Sequence, residues 1–207
     1  MSRSTDMLRQ VIAFTLLSQG CVTASTKEFK ESRVIERIAN KSETPAWADG
    51  SIAMAEESSD VIFVSQVSMG ANSRTEACLK AAELDGRSSM ARYIKEHIST
   101  SGQVNERDAA SDPGYEALTA FLSQSKLSGV KTTQRYWEKV EQSDESGERV
   151  LKLRCVAKLA VNKAELQRQL REATTANGGN AQIRASLLNA QSSFFEGLAH
   201  ENEQGAR

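Results

Sequence analysis

The hydrophobic period of this chain changes near Gly70 from two to about 3.6 residues, and this change strongly constrains the fold. Residues 60–70 alternate, with Val61 and Phe63 on one side, as in a strand with one buried face. In residues 73–98 the apolar side chains recur at helical spacing instead. A strand that leads directly into a long helix predicts a two-layer α+β domain.

The second half of the chain extends this pattern. Asp112 and Pro113 suit the N-cap and first position of another helix, which we expect to end near Gly129. Residues 130–140 and 150–161 both have strand patterns and flank a polar turn, which predicts an antiparallel hairpin with one wet face. Asn162, with Glu165 three residues later, is typical of a capping box. The expected fold is a three-stranded, mainly antiparallel sheet with helices packed on one face.

The N-terminus has the layout of an export signal. Arg3 and Arg9 precede an apolar run at residues 11–17, and small and polar residues follow it. Translation from Met7 would remove the acidic Asp6, which export signals seldom carry, so we expect Met7 to be the true start.

Residues 17–21 resemble a degenerate bacterial lipobox, in which the thiol of Cys21 is acylated and Cys21 becomes the new N-terminus after cleavage. Two alternatives remain open. A cut after Ala24 would release a soluble protein into the periplasm, and an ordinary amphipathic helix would not direct export at all. No segment reaches the roughly 18 apolar residues of a spanning helix, so we expect membrane attachment through a lipid alone.

These patterns divide the chain into four segments. Residues 1–21 are the export signal with its lipobox, and residues 22–43 are a tether with a short helical stripe. Residues 44–175 form the α+β domain. Residues 176–207 are a linker and a C-terminal amphipathic helix, which docks either on its own domain or on a neighbour.

Three cysteines are too few for a disulfide framework. If Cys21 carries lipid, Cys78 and Cys155 remain, in a helix pattern and a strand pattern respectively. An oxidising periplasm would join them if that helix packs on that strand, and two buried free thiols are the alternative.

Composition argues against several functions. Twenty-six basic and twenty-seven acidic residues give a net charge of -1, which lacks the basic excess that favours nucleic acid. The sequence carries no phosphate-binding glycine loop, nucleophile elbow or zinc-type spacing, so we expect no enzymatic activity, no metal and no cofactor. Its carboxylates cluster in segments that look like solvated loops.

A few large aromatic residues are the best candidates for contact with a partner. Tyr136 and Trp137 are adjacent on a strand, so their side chains should point to opposite faces of the sheet. Trp47 offers a large apolar surface near the expected start of the domain, and Phe194 lies on the stripe of the C-terminal helix. Packing inside this chain would explain the same aromatic residues.

Taken together, the residue patterns resemble the twenty-kilodalton outer-membrane lipoprotein family between about Thr44 and Leu170. The resemblance rests on Pro45-Ala46-Trp47, the strand up to Gly70, the alanine-rich helix, and Tyr136-Trp137 followed by a turn and Leu151-Lys152-Leu153. It implies a non-enzymatic lipoprotein of the cell envelope, on the periplasmic face of the outer membrane, often associated with the flagellum or with envelope integrity.

The sequence is therefore compatible with three functions. The first is a lipoprotein that assembles with itself or with an outer-membrane or flagellar structure. The second is a binding role, either as a lipoprotein activator of a peptidoglycan synthase or as a soluble periplasmic binding or assembly protein. The third is a hydrolase that uses the carboxylates.

Overall fold

Five strands form one antiparallel sheet in the computed structural model, which describes residues 32–50, 53–101, 109–123, 127–144, 146–176 and 178–205. In chain order the strands are β1 Arg33–Arg37, β2 Met54–Glu57, β3 Asp60–Gly70, β4 Lys131–Ser143 and β5 Arg149–Asn162. Their order across the sheet is β1-β4-β5-β3-β2. The predicted α+β class and antiparallel hairpin β4–β5 are confirmed, whereas the prediction of three strands is wrong because β1 and β2 were missed.

Both missed strands are short. Residues 34, 35 and 38 are apolar at helical spacing, but Arg33–Arg37 pair with β4 as an edge strand that has a bulge between Val34 and Glu36. β2 has only four residues and pairs with β3. Neither is long enough for a period of two to stand out from a period of 3.6, and pairing with a longer strand decides their conformation.

Four helices lie in the described part of the chain. They are α1 Thr75–Thr100, α2 Pro113–Ser123, α3 Lys163–Thr175 and α4 Ala181–Gly205. Their apolar side chains form the largest core with residues of β2, β3 and β5, such as Met54, Phe63 and Leu159. We call this face of the sheet the helix side.

The centre of α1 packs unusually close to the sheet. A Cβ atom added at Gly86 would lie 2.2 Å from Leu159 Cδ1 and 3.0 Å from Ser65 Cβ. Glycine thus lowers helix propensity at this position but lets the helix approach β3 and β5.

Two predicted N-caps are present. Asp112 Oδ1 accepts hydrogen bonds from Gly114 N and Tyr115 N at 2.9 and 3.3 Å, and Asn162 Oδ1 accepts one from Glu165 N at 3.2 Å. The side chain of Glu165 binds Arg168 instead of returning to the cap, as a full capping box requires. α2 is described as far as Ser123, the next three residues lie outside the described part of the chain, and residues 127 and 128 are no longer helical.

The C-terminal helix α4 docks on its own domain. Its buried stripe includes Leu187, Ala190, Phe194 and Leu198, and these side chains lie in the main core. The predicted boundaries at 44 and 176 therefore do not mark the limits of the fold, since β1 and α4 both belong to the compact unit Glu31–Arg207. The predicted signal, Cys21 and the tether before β1 lie outside the described residues.

Candidate functional site

A row of three charged residues crosses the face of the sheet opposite the helices. Arg37 of β1, Glu138 of β4 and Arg154 of β5 stand opposite one another in the strand register. Glu138 is only 2% exposed, so its carboxyl group is buried between two guanidinium groups. A buried carboxylate requires such partners, because its desolvation is otherwise strongly unfavourable.

The Glu138 carboxylate also accepts hydrogen bonds from two hydroxyl groups. Thr44 Oγ1 donates to Glu138 Oε2 at 2.9 Å and Tyr136 Oη donates to the same oxygen at 2.7 Å. Arg154 Nη2 contacts Oε1 at 2.6 Å, and Arg37 Nε lies 3.8 Å from Oε2. We call these five residues the Glu138 cluster.

The segment between β1 and β2 covers this cluster. Residues 38–50 contain two short 3₁₀ turns, Ile38–Asn40 and Ala46–Ala48, and we call them the strap. Ala48 is fully buried with Tyr136 and Val156, and the half-buried side chains Ile38 and Trp47 pack against them. The face opposite the helix side is accordingly named the strap side.

Polar contacts fix the strap at two points. Thr44 binds Glu138, and the carbonyl oxygen of Ala48 accepts a hydrogen bond from Arg154 Nη2 at 3.3 Å. Burial raises the pKa of Tyr136 above its usual value, and hydrogen bonding to the Glu138 carboxylate adds to the rise. The phenol therefore remains a donor to Glu138 throughout the physiological pH range.

The strap side corrects one expectation. The polar residues of β5 were predicted to form a wet face, but the side chains of Arg154 and Lys158 are only 16% and 10% exposed. Lys158 Nζ binds both carboxylate oxygens of Glu57 at 2.6 and 2.7 Å. Lys163 forms an ion pair with Glu56, so both acidic residues of β2 are paired.

A disulfide lies on the helix side. Cys78 of α1 and Cys155 of β5 are joined, with a Cα–Cα distance of 5.8 Å, and both residues are fully buried. Leu79, Ala82 and Leu153 surround the bond in a second core cluster. Of the two states left open for these cysteines, the structure has the disulfide.

The four predicted contact residues occupy different environments. Tyr136 and Trp137 point to opposite sides of the sheet as predicted, with Tyr136 in the Glu138 cluster and Trp137 half-buried against the disulfide cluster. Phe194 lies in the main core beside His97 and Phe195, at ring-centroid distances of 5.9 and 5.0 Å. Tyr136 and Phe194 are 1% and 6% exposed, so burial removes them from the surface that a partner could touch.

Trp47 and Trp137 retain part of their surface, one on each side of the sheet. Cys21, the predicted lipid attachment site, lies outside the described residues. Within the described residues, no three His, Cys, Asp or Glu side chains lie close enough to hold a metal ion. No helix in that part of the chain is long and apolar enough to cross a membrane.

The Glu138 cluster was not predicted, although part of its signal is present in the sequence. Tyr136 and Glu138 are two residues apart on one strand, and Arg154 and Val156 are two apart on the other, so each pair shares a face. The missing information was β1, which brings Arg37 to the cluster, and the return of the chain across that face. No protein-family model, curated protein or solved structure matches this chain.

Proposed function

We propose that this protein is a non-enzymatic lipoprotein of the bacterial cell envelope that assembles with itself or with an outer-membrane or flagellar structure. In this proposal Cys21 carries the lipid, and the domain faces the periplasm from the outer membrane. The export-like N-terminus and the lipobox motivate the anchor.

The observation that carries the proposal is the buried Cys78–Cys155 disulfide. Structural disulfides form and persist in oxidising compartments such as the periplasm and are rare in the cytosol. The bond joins two elements that are 77 residues apart in the sequence and is enclosed by apolar side chains, as in an exported structural disulfide. This supports export independently of the N-terminal pattern.

The arrangement of polar groups favours a structural role over catalysis. The Glu138 carboxylate binds two guanidinium groups and two hydroxyl groups, which leaves it committed to holding the strap. A general acid or base requires a carboxylate that can exchange its proton with a substrate. The cluster therefore supports a role in stability, not in hydrolysis.

The position of β1 favours work close to the membrane. The sheet begins at Arg33, so the chain between Cys21 and the sheet spans at most about 40 Å when fully extended. This is shorter than the predicted tether, which ended at residue 43. With β1 and the residues after it docked on the sheet, this length favours assembly at the outer membrane over an activator that must reach a distant peptidoglycan synthase.

Metabolic labelling with palmitate tests the anchor. The full chain and the variant Cys21→Ala are expressed in a bacterium, labelled and separated into membrane and soluble fractions. We expect wild-type protein to carry label and to sediment with outer membranes, and the variant to lose both properties. Equal labelling of both forms, or an unlabelled wild-type protein in the cytoplasm, would contradict the proposal.

A second measurement tests assembly in the envelope. Cells that carry the labelled wild-type protein are treated with a membrane-permeable crosslinker, and the captured complexes are identified by mass spectrometry. We expect crosslinks to a second copy or to outer-membrane or flagellar proteins. Crosslinks confined to a peptidoglycan synthase would favour the activator instead.

A further inference from the structure

In the described part of the chain, β1 and the strap contact the rest of the fold through two surfaces. These are the sheet edge at β4 and the strap side of the sheet. Within the described residues, the two core clusters on the helix side contain no side chain from residues 33–50. β1 pairs with β4 alone, and the strap packs on Tyr136, Val156 and Val64. Removing residues 33–50 from the sheet would thus leave the helix-side cores and the disulfide in place.

The polar contacts beneath this segment converge on one residue. Glu138 holds Arg37 at the end of β1 and Thr44 in the middle of the strap, and it orients Arg154, which binds Ala48. Three points of the segment therefore depend on a single buried carboxylate. If that charge is removed, two partly buried guanidinium groups lose their counterion, which is unfavourable.

The same interface contains unsatisfied donors. Among the described residues, Arg37 Nε and Arg154 Nε are buried N–H groups with no hydrogen-bond acceptor. Buried donors without an acceptor are unfavourable, and opening the strap would expose both to water. The closed state of this segment is consequently less stable than its many contacts suggest.

We infer that residues 33–50 are a releasable part of the tether that opens as a unit before the rest of the domain unfolds, with Glu138 as the residue that holds it closed. Opening would expose the Tyr136–Val156 face of the sheet. It would also lengthen the connection between an N-terminal anchor and the sheet by up to about 60 Å. The tether would then have a short closed state and a long open state.

The opening follows from the geometry of the domain alone, whereas its use as a tether rests on the proposed anchoring at Cys21. Palmitate labelling tests that anchoring separately, so failure of one idea is distinguishable from failure of the other.

Native-state hydrogen exchange of the full chain tests the opening. Amides of residues 33–48 are compared with amides of α1 and β5 in the wild type, in Glu138→Gln and in Glu141→Gln. Glu141 is a matched control, because it lies on the same strand, opposite Arg33 of β1, but forms its ion pair with Arg149 of β5 and takes no part in the Glu138 cluster. A second variant, Trp47→Ala, removes an apolar contact of the strap without altering the buried charges.

We expect Glu138→Gln to accelerate exchange in residues 33–48 by about 100-fold. Exchange in α1 and β5 should stay within about twofold of the wild type, as should all amides of Glu141→Gln. Trp47→Ala should accelerate the same amides as Glu138→Gln, to a smaller extent. If exchange in α1 and β5 rises in parallel with the strap, or if the strap is unaffected in both variants, the inference is wrong.

Discussion

Gly86 favours close packing of α1 on the sheet, although glycine is unfavourable inside a helix. Glycine in a helix interior is less favourable than alanine by roughly 0.5–1 kcal/mol. The added Cβ at this site, however, would lie 2.2 Å from Leu159 Cδ1, and a contact that short forces either the helix or the leucine to move. The close approach of α1 to β5 also brings Cys78 to Cys155.

We therefore expect Gly86→Ala to lower the free energy of unfolding by about 1–3 kcal/mol, because overpacking outweighs the gain in helix propensity. Chemical denaturation followed by circular dichroism measures the effect. Gly197→Ala in α4 is the control, since nothing lies within 4 Å of the added atom, and it should be neutral or stabilising. A stabilised Gly86→Ala protein would show that the helix can shift away from the sheet at little cost.

Asp112 connects two parts of the helical layer. Its Oδ1 caps α2, and its Oδ2 accepts a hydrogen bond from Asn180 N at 2.6 Å, just before α4 begins. The hydrogen bond from Asn180 lowers the pKa of Asp112, helped by those from Tyr115 and Gly114 and by the charge of Arg184, although burial opposes the shift. Gly179 lies so close that a Cβ there would be 2.7 Å from both carboxylate oxygens.

Because the pKa of Asp112 is lower in the folded state, its contribution to stability is complete at neutral pH. It is lost as the pH falls below about 4 toward the folded-state pKa. We expect Asp112→Asn to lower the free energy of unfolding at pH 7 by about 1–2 kcal/mol, because an amide nitrogen cannot accept the hydrogen bond from Asn180 N. Urea denaturation of both proteins between pH 7 and pH 3 should show this difference shrinking with acidity. A difference that is independent of pH would exclude the carboxylate charge as its source.

At the scale of elements, the long and regular segments were predicted well. β3 has the bounds expected from its alternation, and α1, β4 and β5 differ by a few residues at their ends. Each is long enough for its hydrophobic period to be unambiguous. β1 and β2 are too short for this, and their strand conformation depends on pairing with β4 and β3.

The disulfide is an element-scale link between α1 and β5. It closes a loop over a sequence separation of 77, which restricts the unfolded chain. We expect the double variant Cys78→Ala/Cys155→Ala to lose about 4 kcal/mol of stability, because its unfolded chain is no longer restricted by a closed loop. Denaturation with and without dithiothreitol measures this. Dithiothreitol should destabilise the wild type, because unfolding exposes the disulfide to reduction, and it should leave the double variant unchanged. Equal stability of the two proteins without reductant would contradict a structural role for the bond.

At the scale of the whole molecule, the helical layer is closed by α4. The sequence could not decide whether its stripe docks on this domain or on a neighbour, because the same amphipathic pattern suits either surface. The structure places Leu187, Phe194 and Leu198 in the main core. The Glu138 cluster could not be predicted either, because it forms only when residues 38–50 cross the face of the sheet, and the sequence pattern does not show that path.

We expect Phe194→Ala to lower the free energy of unfolding by about 3–5 kcal/mol, as for other buried aromatic residues. The loss should be independent of protein concentration, because the side chain packs within its own chain. Thermal denaturation at several concentrations measures both properties. Glu196→Ala, at an exposed position on the same helix, is the control. A loss that appears only at low concentration would instead assign Phe194 to an interface between copies.

The strand order also determines when the N-terminal end of the domain becomes fixed. β1 pairs with β4, and the ion pair between Glu36 and Lys139 joins residues 103 positions apart. During synthesis or translocation, β1 emerges long before its partner strand β4, so it remains unpaired until most of the chain has followed. The first strand of the sheet to be made is thus unpaired until β4 has followed it, and the N-terminal end of a nascent domain stays loose over that interval.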